Sequence, residues 1–312
     1  MTTPDPDPER ARRPFCADVS HANEEPLAAT ASRIDHWLLI EYRAAWARDV
    51  LGECLFTPEL KAHLRAQLAL LPRSRLLFVK KPERRSQARR RVFFGTSQPG
   101  REQFFALEIE HHDDLLGFDF EDALESGGGA ATRLEKPLFV VCTHGKRDRC
   151  CARYGRPLYD ALRHETDTDR VWQSTHVGGD RFAGNVIVLP HGLYYGRVQP
   201  DDTGALVAEQ AAGRIDLDRF RGRSAFSFGV QAAERALRES EGLLGIGDLS
   251  FLDTRRQAAE AVRVRFRTPD GAVHELDVST TYDTEPAYLT CDSAEPKRAP
   301  RHAITAHRVV IR

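Results

Sequence analysis

Leu138-Phe139-Val140-Val141 is an unbroken run of apolar, mostly strand-favouring residues, and a chain containing it must cover that strand on both faces. The run leads straight into a polar loop, Cys142-Thr143-His144-Gly145-Lys146-Arg147-Asp148-Arg149, which ends at Cys150-Cys151. The arrangement recurs downstream, where Val171-Trp172-Gln173-Ser174-Thr175 reads as a strand and runs into His176-Val177-Gly178-Gly179-Asp180. Two strand-to-loop transitions of this kind bring Cys142, Cys151, His176 and Asp180, all metal-binding residue types, to one end of a sheet.

The flanking pattern is that of an α/β protein. Cys150 to Arg163 predicts a helix, with Pro157 kinking or restarting it. Val186–Leu189 and Leu193–Val198 predict a hairpin across Pro190-His191-Gly192, and Asp201-Asp202-Thr203 predicts the cap of a helix ending near Gly213. The order β-α-β-β-α is that of a small thioredoxin-like unit. A rougher copy precedes it: a strand at Trp37–Tyr42, a helix from Thr57 to Leu71 capped by Thr57, strands at Arg75–Lys80, Arg91–Gly95 and Gln103–Ile109, and a short helix from Asp119 to Leu124. The expected fold is therefore α/β, with two thioredoxin-like units, the second carrying the metal site, and a small α+β C-terminal appendage. The boundaries read as a disordered tail over 1–14, a unit without ligands over 15–126, a linker over 127–135 around Gly127-Gly128-Gly129, a ligand-bearing unit over 136–224, and the appendage over 225–312. In that last region Val230 to Leu244 predicts a helix, and Ala258 to Phe266 and Val273 to Val278 predict strands joined by a turn at Pro269-Asp270-Gly271.

Composition narrows the function. The 312 residues carry a net charge of −1, so bulk electrostatics favours neither nucleic acid nor an anionic membrane. No apolar run approaches the length of a membrane span, and the polar, Pro-rich start is not a secretory leader, so a cytoplasmic protein with reduced thiols is expected. The basic run from Arg84 to Arg91 reads as a solvated hairpin loop, having no interleaved aromatic for base stacking. Three of the six cysteines fall between residues 142 and 151, and such clustering favours metal or redox chemistry. Cys16, Cys54 and Cys291 are assigned to structure or solvent, and His144 and His191 to ordinary loop histidines.

The motifs Cys142-x8-Cys151, His176-Val177-Gly178-Gly179 followed by Arg181-Phe182-Ala183-Gly184-Asn185, Tyr195-Gly196-Arg197-Val198 and Arg221-Gly222-Arg223 together resemble the sucrase/ferredoxin-like family of thioredoxin-like ferredoxin proteins. Weaker echoes lie upstream at Glu25–Ala31 and Trp37–Glu41. The resemblance implies a [2Fe-2S] cluster held by two Cys and two His, with Cys142, Cys151 and His176 at three of those positions. The fourth holds Asp180, a harder oxygen donor, and Cys150 is the alternative fourth ligand. Electron transfer to or from an unidentified redox partner protein follows. No flavin or dinucleotide fingerprint is visible, so a reductase would be a separate chain, and nothing supports sugar hydrolysis. Two other readings use the same residues. Zinc accepts a Cys/His/Asp set, and Cys150 with Cys151 would serve a metal-free thiol-redox protein.

Overall fold

The computed structural model describes residues 13–84 and 87–311, so most of the tail and Arg85-Ser86 of the basic run lie outside it. The chain is mixed α/β. Its larger sheet has ten strands in the order β10-β9-β8-β6-β7-β2-β1-β3-β4-β5.

On one side, β1 (His36–Glu41) lies parallel to β2 (Ser74–Lys80), and antiparallel to β3 (Arg90–Thr96). The β1–β2 crossover is a helix, Pro58–Leu70, and β3 forms a hairpin with β4 (Gln103–Ile109). On the other side, β6 (Leu138–Cys142) lies parallel to β7 (Val171–Ser174) and antiparallel to β8 (Val186–Leu189), which forms a hairpin with β9 (Leu193–Tyr195). The β6–β7 crossover is again a helix, Arg149–Glu165. The two sets meet where β2 and β7 pair antiparallel, Val79 opposite Ser174 and Lys80 opposite Gln173. The edges are β5 (Thr132–Arg133), which pairs with β4 from within the stretch read as a linker, and β10 (Phe220–Arg223), which pairs with β9.

Among the described residues the helices in chain order are α1 (Cys16–Ala22), α2 (Pro58–Leu70), α3 (Phe120–Ser126), α4 (Arg149–Glu165), α5 (Thr203–Ala211) and α6 (Phe228–Glu241). Leu60 and Leu64 of α2 cover one face of the first strand set, and Leu158, Tyr159 and Leu162 of α4 cover the matching face of the second. The opposite face is an interior shared by both sets. The sheet curls until Trp37 of β1 and Tyr194 of β9, with four strands between them in the sheet, bring their rings to 6.4 Å. Central strands covered on both sides need apolar residues at every position, which is why β6 reads as a continuous run.

A second sheet, β11 (Ser250–Ala258), β12 (Ala261–Arg267), β13 (Val273–Tyr282) and β14 (Pro300–Ile311), is antiparallel throughout and packs against α6. No helix among the described residues is long and apolar enough to cross a membrane.

Several local expectations change. Helix α4 runs unbroken through Pro157. Asp202 does not cap α5 with its side chain: its carboxylate accepts the Gln199 N–H at 2.8 Å and pairs with Arg219 at 2.6 Å. Ala258 ends β11 instead of starting β12. Arg84 is not solvated, because it is buried against Glu41 at 3.2 Å, where the carboxylate also accepts the Arg91 N–H. Strands β11 and β14 and helix α1 were not anticipated. Charged residues lie on both faces of Ser250–Ala258, so its sequence carries no alternation to read.

Candidate metal centre

Cys142 is the last residue of β6 and is buried, with its N–H donating to Asn185 O at 3.1 Å. Cys151 lies in the first turn of α4. Asp148 caps that helix, its carboxylate accepting the Cys150 N–H at 2.8 Å. A helix N-terminus favours a thiolate in its first turn. The approach of α4 to β6 is closer than any side chain at Gly155 would permit. An added Cβ there would stand 1.9 Å from the Cys142 carbonyl oxygen.

His176 and Asp180 come from the loop after β7. Gly178 and Gly179 have φ of +98° and +80°, a conformation that L side chains rarely adopt, and this turn folds the loop back on itself. His176 Nδ1 and Asp180 Oδ1 stand 2.8 Å apart, and the Cys151 thiol faces Asp180 Oδ1 at 3.3 Å and His176 Nδ1 at 3.9 Å. Cys142, Cys151 and His176 have donor atoms all within 4.8 Å of one another. The structure thus brings Cys142, Cys151, His176 and Asp180 together. The Cys151 sulfur lies against both the imidazole and the carboxylate. Asp180 is buried and turned toward these side chains.

The charges follow from contacts. Cys142 is held well below the ordinary thiol range by a hydrogen bond from Cys151 and by His176, against the pull of burial, while Cys151 is pushed up by the same bond and by burial. Burial disfavours the His176 cation, yet hydrogen bonds to Asp180 and Cys142 raise it to about 9. Because this value lies above the ordinary 6.5, the contribution to folding of the protonated imidazole is complete below about pH 6.5 and is lost as the pH rises through about 9. In the metal-free chain, NMR titration of the His176 ring is expected to show that high midpoint. Asp180→Asn should bring it down toward 6.5, and an unmoved midpoint would remove Asp180 as the cause.

Cys150 does not join this set. Its sulfur points the other way, to Cys16 at 3.5 Å and Cys291 at 3.4 Å, so consecutive residues at the start of α4 face opposite sides. His144 has both ring nitrogens engaged: Nε2 donates to Ala47 O at 2.9 Å and Nδ1 accepts the His176 N–H at 3.3 Å. It ties the two loops together. His191, on the β8–β9 turn, lies at the opposite end of the sheet from Cys142, since β8 runs antiparallel to β6 with Leu189 opposite Leu138. Cys54 donates to Leu51 O at 3.2 Å, away from the site. Lys146 and Arg147 are exposed beside it, whereas Arg181 pairs with Glu25 at 2.7 Å and Arg149 donates to Arg13 O at 3.0 Å.

Arg221 is a site-organising residue whose role its motif did not reveal. Fully buried, its guanidinium donates to Asn185 Oδ1 at 2.7 Å, Gly178 O at 3.1 Å and Thr30 O at 2.5 Å, and lies over the Phe182 ring. A Cβ on Gly179 would stand 2.1 Å from that guanidinium. Arg221→Leu would leave these acceptors without their donor, with an expected loss of about 3 kcal/mol. Chemical denaturation checks this, and Arg221→Lys should recover only part, since an ammonium cannot span the same acceptors.

Among solved structures, the chain is similar to the thioredoxin-like [2Fe-2S] ferredoxin from Aquifex aeolicus, at 21% identity, covering 28% of this chain and 91% of that one with a TM-score of 0.25. A cysteine variant of the same ferredoxin matches at 20% identity over 28% of this chain and 99% of its own, again with a TM-score of 0.25. Among curated proteins, it is similar to "Altered inheritance of mitochondria protein 32" of Meyerozyma guilliermondii, at 37% identity over 95 residues, 27% of this chain and 34% of that protein. The same-named protein of Clavispora lusitaniae is 34% identical over 101 residues, 30% of this chain and 37% of its own. The matched part thus spans about a third of those relatives' length. Residues 27–222, well over half of the sequence and including all four converging side chains, match the sucrase/ferredoxin-like family, and the chain belongs to that family.

Proposed function

We propose that this protein is an electron carrier in which Cys142, Cys151, His176 and Asp180 hold a [2Fe-2S] cluster. The observation that carries the reading is the convergence of two buried thiols with an imidazole and a carboxylate at the sheet end. The donors fit the group: soft thiolates with imidazole are the ligands such clusters use, and family membership points the same way. When bound, the cluster would accept and return one electron. The chain's own residues set the conditions. Cys142 and Cys151 are screened from water, and the His176 side chain, 20% exposed, is the donor nearest solvent. Imidazole ligation raises a potential above the all-Cys range, and a carboxylate in the second His position would lower it again.

The repeated connection pattern of the ten-stranded sheet supports reading it as two thioredoxin-like units, of which only the second kept ligands, with the four-stranded sheet as a C-terminal appendage. The partner we propose is a separate acidic redox protein. A groove of about 330 Å³ beside the site is lined by Trp46, Lys80, His144, Lys146 and Arg156, which suits an acidic surface. All six cysteines are free thiols, in keeping with a reducing compartment such as the cytoplasm.

One observation favours a second reading. Donor separations of 2.8–3.9 Å also suit a single tetrahedral ion, for which zinc with a Cys/His/Asp set is the candidate. Electron paramagnetic resonance of the anaerobically purified, dithionite-reduced protein separates the two. The cluster predicts a spin-half signal that is absent before reduction; zinc predicts none in either state.

A further inference from the structure

Behind the first turn of α4 lies a second convergence of donors. Cys16, Cys150 and Cys291 have sulfurs 3.5, 3.4 and 3.6 Å apart pairwise, and Asp148 Oδ2 stands 3.9 Å from the Cys16 sulfur. All four residues are buried. They come from distant parts of the sequence: the start of α1, the start of α4 and the long connection between β13 and β14. Cys16 and Cys291 lie outside the family-matching residues.

We propose that Cys16, Cys150, Cys291 and Asp148 form a second, mononuclear metal site that takes a thiophilic divalent cation, zinc first among them. A tetrahedral ion with metal–sulfur bonds of about 2.3 Å holds its sulfurs about 3.8 Å apart, close to the observed triangle. A disulfide would need about 2.05 Å and could link only two of the three. A backbone donor is already directed at the sulfurs: the Cys16 N–H approaches Cys291 Sγ at 3.5 Å. Such a donor suits a thiolate. Asp148 is fixed by the N–H groups of Cys150 at 2.8 Å and Cys291 at 2.7 Å, which turn its carboxylate toward the sulfurs. Binding releases the thiol protons to solvent and changes no oxidation state.

The site has a mechanical rationale. The seven-residue α1 is too short to be stable alone, and residues 283–299 contain no strand or helix. An ion bound by Cys16 and Cys291 staples both segments onto the helix that carries Cys151.

The test is elemental analysis of the full-length protein, purified anaerobically without chelators, for wild type, Cys16→Ser, Cys291→Ser and Cys142→Ser. The expected result is about one zinc per chain in wild type and Cys142→Ser, falling at least roughly tenfold in Cys16→Ser and Cys291→Ser. Iron and sulfide should follow the opposite pattern. Should the Cys16 and Cys291 variants fail to fold, cobalt titration of metal-depleted Cys142→Ser decides, because no cluster colour then masks the bands. One equivalent with intense thiolate-to-cobalt absorption supports the site. Wild type without zinc or cobalt uptake, zinc that survives both Cys16→Ser and Cys291→Ser, or a disulfide among the three thiols would overturn it.

Discussion

Cys142→Ser is expected to remove iron and sulfide from the protein almost completely while leaving a folded chain. A serine oxygen is a poor substitute for a thiolate toward iron. The residue ends a strand buried on both faces, and Ser is close to Cys in size, so packing around β6 changes little. The expected readout is loss of visible absorption with unchanged circular dichroism. Cys151→Ser should do the same. A Cys142→Ser protein that kept its colour and sulfide would exclude this residue as a ligand.

Gly155→Ala is expected to be more damaging than its one added methyl suggests. The new Cβ would be 1.9 Å from the Cys142 carbonyl oxygen and 3.0 Å from its carbonyl carbon. Both are backbone atoms of a central strand and cannot swing aside as a side-chain end would. Helix α4 must therefore move away from β6, at a cost toward the upper end of the usual overpacking penalty, about 3 kcal/mol. The same displacement separates Cys151 from Cys142, so metal content should fall together with stability. Gly117→Ala is the control, since its added Cβ meets nothing within 4 Å and its φ is not positive. Denaturant midpoints and iron content for both variants test the argument. Equal, near-wild-type values would mean that close helix–strand contact does not position the thiols.

What could be read from the sequence follows from the range of the interactions. Strands β6 and β8 and the helix opening at Thr57 are local features, apolar runs and a capping residue, and they stand within a residue of where the pattern placed them. The convergence of Cys142 and Cys151 with His176 and Asp180 was legible because both loops leave parallel neighbours at the same sheet end, Cys142 opposite Ser174. Gly155 left a weaker signal, an isolated glycine within a helical pattern, which by itself only lowers the helical propensity. The triad of Cys16, Cys150 and Cys291 left none. Its contacts join residues 134 and 141 positions apart, and neither outer cysteine sits in a motif. Assigning those two to structure or solvent treated each alone, whereas the fold gives them a common neighbour.

The most direct test of the central claim is iron, acid-labile sulfide and zinc analysis of the anaerobically purified full-length protein. The cluster at Cys142, Cys151, His176 and Asp180 predicts about two iron and two sulfide per chain, both lost in Cys142→Ser. Zinc without sulfide, with one zinc lost on that substitution, would contradict it and make the site a mononuclear zinc centre.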